Sequence, residues 1–291
     1  MSAFLLAPCA LLLTIPAAAA PAKPALPAAT AAHPQSSTSA KIDKPDKRIR
    51  RGGFFEPEPI DFDDHDGYTQ IFDGKDLKGW DGDPAVWHVE DGAIVGTSTK
   101  EKPVGNSYIV YCGLEAHDFD LKLEIKVEQG GGSGIQYRSK TGVPWRHPLR
   151  PGMDAPKLDW MMTGPQADFW YPVTPGTSEY TGQFYTENSP LGIQAWRGQV
   201  VESSPGNYAK LMAVIGDRDA LGGYVKVNGW NQYVILARGG TFIHILNGHL
   251  MAVYIDDDPS SINNQTGQIG IELESSPSKV SVRDIWLKKL N

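Results

Sequence analysis

Residues 119–138, FDLKLEIKVEQGGGSGIQYR, constrain the fold more than any other stretch. Phe119, Leu121, Leu123, Ile125 and Val127 alternate with Asp120, Lys122, Glu124, Lys126 and Glu128. A period of two sends apolar and charged side chains to opposite faces of a β-strand. Beyond the glycine-rich residues 129–134, Ile135 and Tyr137 alternate with Gly134, Gln136 and Arg138. That many glycines do not hold a regular element, so the segment reads as a turn or bulge. The two runs then pair as a hairpin with their apolar faces together, and Glu124, Gln136 and Arg138 share its open face. A carboxylate, an amide and a guanidinium on one rigid surface suit a hydroxyl-rich ligand. The same pattern also describes a solvated face with a surface ion pair.

The rest of the chain repeats this theme. Residues 86–96 form a hairpin around Asp91-Gly92, which supplies the positive φ angles of a tight type I′ turn. Residues 230–247 hold two strands around Gly239-Gly240, and Asn247-Gly248 turns the chain again. Residues 267–274, GQIGIELE, alternate throughout, and residues 280–290 make a closing strand. Residues 164–170 and 180–187 read as shorter strands. No helix-period segment longer than about ten residues interrupts the roughly ten to twelve strands, which is the signature of a sandwich or barrel. Residues 139–165 carry five prolines together with Trp145, Trp160, Met161 and Met162. They read as a long ordered loop, either walling a site or covering a satellite core.

The ends and the charge balance bound the function. Residues 1–20 are apolar and run into Ala17–Ala20, which fits a secretory signal. They are short and broken by Pro8 and Pro16, so no transmembrane span is expected. Residues 21–66, rich in Pro, Ala, Ser and Thr and then in basic and acidic runs, read as a flexible linker. Residues 67–291 are left for one β domain. A net charge of −7 gives no footprint for nucleic acid. Export removes Cys9 and leaves Cys112 alone, with no disulfide or zinc spacing; its apolar neighbours read it as a small buried hydrophobe.

The ordered set FDGKDLKGW, WHVEDGAIVG, FDLKLEIKVEQGGGSGIQYR, PQADFW, TGQFY, WNQYVILARGGTFIHILNG, GQIGIELE and VRDIWLKKL resembles the 3-keto-disaccharide hydrolase family over about residues 68–290. The resemblance implies an all-β, concanavalin A-like β-sandwich (a jelly roll) of two antiparallel sheets with long inserted loops. It implies a periplasmic or extracellular enzyme that cleaves glycosides whose glucose C3 is oxidised to a ketone. By position the family's strand glutamate falls on Glu124 and its Asn-Ser-Gly-Ile-x-x-Arg motif on residues 132–138, with Gly132 in place of the asparagine. The Gln and Asp of its Glu-x-Gln-x-x-Asp strand fall near Gln166 and Asp168, with no glutamate. Its Trp-Asn motif is Trp230-Asn231, its Asn-Gly turn is Asn247-Gly248, and Glu272-Leu273-Glu274 stands where a Gln-x-His is usual.

A 3-keto group acidifies the proton on C2. A carboxylate removes it, the glycosidic oxygen departs, and water adds back; an acid for the leaving group and a cation for the enolate complete the set. Alternation lets Glu124, Arg138, Gln166, Asp168, Glu272 and Glu274 project on one side of a sheet. Crowded carboxylates raise one another's pKa, which suits one as acid and one as base. The expected catalytic set is Glu124, Arg138, Asp168 and Glu272. The expected substrate-binding set is Gln136, Gln166, Trp170, Trp230, Asn231 and Glu274. No cofactor is required, although the same carboxylates suit Ca²⁺ or another divalent cation. His88 and His244 read as structural. The competing reading is a non-catalytic carbohydrate-binding domain on the same sandwich.

Overall fold

The computed structural model describes residues 50–51, 54–55, 57–128, 130–143, 159–171, 180–206, 208–274 and 277–290. The residues of the expected signal, most of the expected linker, and residues 144–158 with Trp145 lie outside this set. The chain divides into two units, Met1–Pro57 and Glu58–Asn291. In the first, β1 (Arg50–Arg51) pairs with β2 (Phe54–Phe55).

The second unit is built almost wholly of strands. They are β3 (Thr69–Gln70), β4 (Trp80–Gly82), β5 (Trp87–Glu90), β6 (Ala93–Ser98), β7 (Ser107–Ala116), β8 (Phe119–Glu128), β9 (Gly132–Thr141) and β10 (Met162–Trp170). They continue with β11 (Phe184–Glu187), β12 (Gly192–Ala195), β13 (Gln199–Ser203), β14 (Lys210–Val214), β15 (Asn231–Arg238), β16 (Thr241–Leu246), β17 (His249–Asp256), β18 (Gly267–Leu273) and β19 (Ser278–Lys289). The α-helix α1 (Arg218–Gly222) is capped by the Asp217 carboxylate, which accepts from the Asp219 and Ala220 amides.

These strands make two sheets. The first has the order β12-β11-β10-β9-β18-β7-β4; the second runs β14-β13-β17-β16-β15-β8-β19-β6-β5 with β3 against β19. The ladders are antiparallel except β13 with β17, which run parallel. One core joins Leu121, Leu123 and Ile125 of the second sheet to Ile135, Phe169 and Ile271 of the first. This is the expected β-sandwich of two largely antiparallel sheets. The Asp91-Gly92 and Asn247-Gly248 turns take positive φ at both residues, as type I′ hairpins require.

The central expectation of a hairpin between residues 119–128 and 132–138 is corrected. β8 pairs with β15 and β19 in one sheet, while β9 pairs with β10 and β18 in the other. The intervening glycines therefore carry the chain between sheets, and Gly132 and Gly134 belong to β9 itself. Both runs still point their apolar residues into the common core, so opposed sheets satisfy the same alternation that suggested the hairpin.

Cys112, expected to be buried, is exposed. Gly267 pairs with Ala116 but Ile269 with Tyr111, so residues 112–115 bulge out of the β7–β18 ladder. Residues 61–66, assigned by composition to the linker, pack on the domain. Lys122 Nζ donates to the Asp61 and Asp64 carbonyls at 2.8 and 2.6 Å, and His65 stacks on Trp286 at 4.0 Å.

Candidate active site

On β10, Ala167 and Phe169 enter the core, while Gln166, Asp168 and Trp170 take the opposite, open face of the first sheet. The flanking strand does the same with Phe184 inward and Gln183, Tyr185 and Glu187 outward. On β18, Ile271 and Leu273 are core, and Glu272 and then Glu274 point the other way. Period-two alternation on neighbouring strands thus delivers four carboxylates, Asp168, Glu187, Glu272 and Glu274, to one surface.

Glycines on β9 make that surface deep. Gly134 is opposite Asp168 and Gly132 opposite Trp170. A Cβ on Gly134 would collide with the Gln166 side chain, and one on Gly132 would lie 2.8 Å from the Trp170 indole. Side chains from β10 therefore lie flat across β9, and Gln166 reaches over it to β18, where its Nε2 donates to Glu272 Oε2 at 2.6 Å.

The resulting cleft has a volume of about 390 Å³. Asp168, Glu187 and Glu274 line it with Asn106, Gln166 and Gln183, and Trp170, Tyr180, Tyr185 and Ile193 form its apolar wall. Trp170 meets Tyr180 edge-on with centroids 5.4 Å apart, and Tyr180 in turn leans on Trp196 at 5.8 Å. Gln183 Nε2 donates a short hydrogen bond to Asp168 Oδ2. Glu272 sits beneath the lining at 1% exposure. Besides Gln166, Asn106 Nδ2 and Tyr108 Oη each donate to its Oε1 at 2.9 Å.

The electrostatics follow from burial. Desolvation holds the Asp168 and Glu187 carboxyls well above the usual range, reinforced by the neighbouring carboxylates. Glu274 is pushed up to about 8 by desolvation and then by the charge on Glu272. Glu272 is also raised by desolvation, but its three donors pull the other way and favour its ionised form. Burial keeps the Tyr185 hydroxyl protonated, and the surrounding acids add to this. Among the described residues no three of His, Cys, Asp and Glu group as a metal-ligand set. The arrangement supplies protons and hydrogen-bond acceptors.

The structure brings together Asp168, Glu272, Glu274, Gln166 and Trp170 of the expected residues. Gln136 lies at the edge of this group, fully buried, accepting from Ser139 Oγ at 2.7 Å rather than lining the cleft. Glu124, Arg138, Trp230 and Asn231 lie elsewhere. Glu124 is on the outer face of the second sheet, ion-paired to Arg283 Nε at 2.7 Å. Arg283 also caps the Trp230 ring at 4.1 Å. Asn231 clamps its own loop through the Lys226 and Gly229 carbonyls and the Lys226 amide. Arg138 has φ +49°, which turns its side chain from the open face into the sandwich edge. There it donates to the His117 and Gly239 carbonyls at 2.5 and 2.9 Å and to Asp118 Oδ1 at 3.1 Å. His244 is structural as expected, buried between the Tyr137 hydroxyl and the Gln183 carbonyl, and burial lowers its pKa to about 4.

Sequence reasoning missed Asn106, Tyr108, Tyr180, Gln183, Tyr185 and Glu187. The alternation of residues 183–187 marks Gln183, Tyr185 and Glu187 as sharing a face. That β11 stands beside β10, and so beside Asp168, is a long-range pairing with no local signal.

A family model described as a 3-keto-alpha-glucoside-1,2-lyase-like domain matches residues 67–288. A Bacteroides thetaiotaomicron protein named 3-keto-disaccharide hydrolase is 40% identical over 81 residues, 25% of this chain and 28% of that protein. The match thus spans under a third of that relative's length. A solved Parabacteroides distasonis structure, provisionally described as a glycosyl hydrolase, has 22% identity and a TM-score of 0.46, covering 78% of this chain and 95% of that one. A Bacillus subtilis protein with a galectin-like fold has 13% identity and a TM-score of 0.49, covering 76% and 94%.

Proposed function

Because this chain belongs to the 3-keto-alpha-glucoside-1,2-lyase-like domain family, we propose that the cleft of Asp168, Glu187 and Glu274 cleaves glycosides whose sugar carries a ketone at C3. The observation that carries this reading is three carboxyl groups with raised pKa values in one aromatic-walled cleft on the open face of the sheet. Carbon-acid chemistry needs an acid that still holds its proton near neutral pH and a base of matched strength beside it.

In this reading Asp168 is the base: desolvation raises its pKa, which makes it a strong base once it has lost its proton, and the hydrogen bond from Gln183 supports that ionised form. It takes the C2 proton, and the electrons of that bond form an enolate whose oxygen, at C3, accepts from the Tyr185 hydroxyl. The C1–O bond then breaks as the enolate collapses to a C1–C2 double bond conjugated with the ketone. Glu274 gives its proton to the departing oxygen. Addition of water at C1 yields the free 3-keto sugar, and release before that step makes the same site a lyase. Glu272, locked by three donors below the floor, is the fixed negative charge that keeps a proton on Glu274. The roles expected of Glu124 and Arg138 pass to these residues. Export is part of the proposal, supported by the apolar residues 1–20.

The test is incubation with a 3-keto-glucoside deuterated at C2. Loss of deuterium accompanied by aglycone release, both abolished in Asp168→Asn and Glu274→Gln, is the expected result. Aglycone release at full rate in both variants, or product that retains all its deuterium, would overturn the reading.

A further inference from the structure

The lining of the cleft is unbalanced in charge and in hydrogen-bonding sense. It carries three carboxyl groups, a fourth lies just beneath, and among the described lining residues there is no lysine or arginine. Gln183, only 2% exposed, lines the same cleft and spends its amide N–H on Asp168. Its Oε1 is buried and finds no donor among the described residues. Asn188 likewise spends its amide N–H outside the cleft, on the Met162 carbonyl at 2.6 Å. The side-chain amides of Gln166, Gln183 and Asn188 are committed to protein acceptors, and no cationic side chain of the described lining faces the carboxyl groups. A ligand for such a cavity brings donors, and it brings no negative charge of its own. An ammonium group is the side-chain-sized species with donors only and a compensating charge. Taking two like charges into one low-dielectric cavity is the least favourable alternative.

We infer that this cleft selects its sugar by charge: it favours a glycone bearing a basic nitrogen, accepts a neutral one, and refuses one bearing a carboxylate. The inference rests on the cleft being where the sugar binds, but not on the sugar being cleaved there. Glu274 is the partner of the cation, and Glu187 lines the same cleft. In the free protein those carboxyls hold protons, as their burial dictates, so a cationic ligand displaces a proton into solvent as it binds.

The test is calorimetric titration of the full chain near pH 7 with three closely matched ligands. They are a glucose-configured piperidine protonated at its ring nitrogen, the corresponding neutral lactam, and glucuronate. The piperidine is expected to bind at least tenfold more tightly than the lactam, with proton release seen as a buffer-dependent heat. Glucuronate is expected to give no saturable signal. Glu274→Gln is expected to cut the piperidine-to-lactam ratio several-fold, and Glu187→Gln serves if that variant does not fold. Equal affinity for piperidine and lactam, saturable binding of glucuronate, or a preference untouched by both substitutions would overturn the inference. Turnover of a 3-keto-glucoside without the charge preference sinks this inference alone. Charge preference without turnover sinks only the proposed reaction.

Discussion

Gln166 on β10 donates to Glu272 on β18 at 2.6 Å, and it crosses the intervening strand at Gly134 to do so. The acid beneath the cleft is therefore held by a side chain whose path exists only because β9 has no Cβ at that point. Gly134→Ala places a methyl group against Gln166 and displaces it. The expected cost is about 1–3 kcal/mol of stability, as for an overpacked core site, together with a loss of turnover. Urea unfolding with kinetics on the same preparation checks this. A variant with full stability and full turnover would show that the crossing is incidental.

Glu274 gives the fold a distinctive pH dependence. Its folded pKa of about 8 lies above the ordinary glutamate value of 4.5. Between those values the folded state binds more protons than the unfolded chain, so stability falls as pH rises. The contribution is fully present below about pH 4.5 and is lost as pH climbs through about 8. Asp168 and Glu187 shift in the same direction and steepen the trend. Melting temperatures measured from pH 5 to pH 9 should decline toward the alkaline end, with a shallower slope in Glu274→Gln. A curve flat over that range in the unmodified protein would refute the assignment.

Arg138 is predicted to matter for stability and not for chemistry. Its side chain is fully buried, and its guanidinium ties the 117–118 turn to the Gly239 turn. Arg138→Met strands the His117 and Gly239 carbonyls, while Asp118 keeps His117 and the Gly239 amide, at a cost of about 1–3 kcal/mol. Turnover per folded molecule should remain within about twofold, a small effect on the scale of 1.4 kcal/mol per factor of ten. A stable variant lacking turnover would return Arg138 to the active site.

Glu124→Gln should be nearly silent. The Glu124–Arg283 pair sits on the outer face of the second sheet with the Arg283 side chain 36% exposed. Pairs of this kind contribute about 0–1 kcal/mol. The melting temperature should move by a few degrees at most, on the order of what 1 kcal/mol produces in a domain this size, and turnover should be unchanged. A large loss of turnover would contradict the placement of the cleft on the first sheet.

Glu187 illustrates the limit of reading a chain locally. In residues 183–187 the alternation of Phe184 and Thr186 with Gln183, Tyr185 and Glu187 is plain in the sequence, and the strand forms there. Nothing within those residues says that β11 lies beside β10 and two further strands from β18. That order is what brings Glu187 close enough to Glu272 for their charges to interact.

The sequence by itself determined the strands of residues 86–96, 119–138, 230–247 and 267–290 though not those within 188–227, the type I′ turns at Asp91-Gly92 and Asn247-Gly248, the inner and outer face of each strand it marked, and the family. These are local properties, set by φ preference and by the period-two geometry of extended chain. Only the tertiary structure decided which strands are neighbours and which face of each sheet is open. Residues 119–128 and 132–138 show why: their apolar sides bury equally well in a hairpin or across a sandwich. The core as a whole chose the sandwich, sending Glu124 to one outer surface and leaving Asp168, Glu272 and Glu274 together on the other.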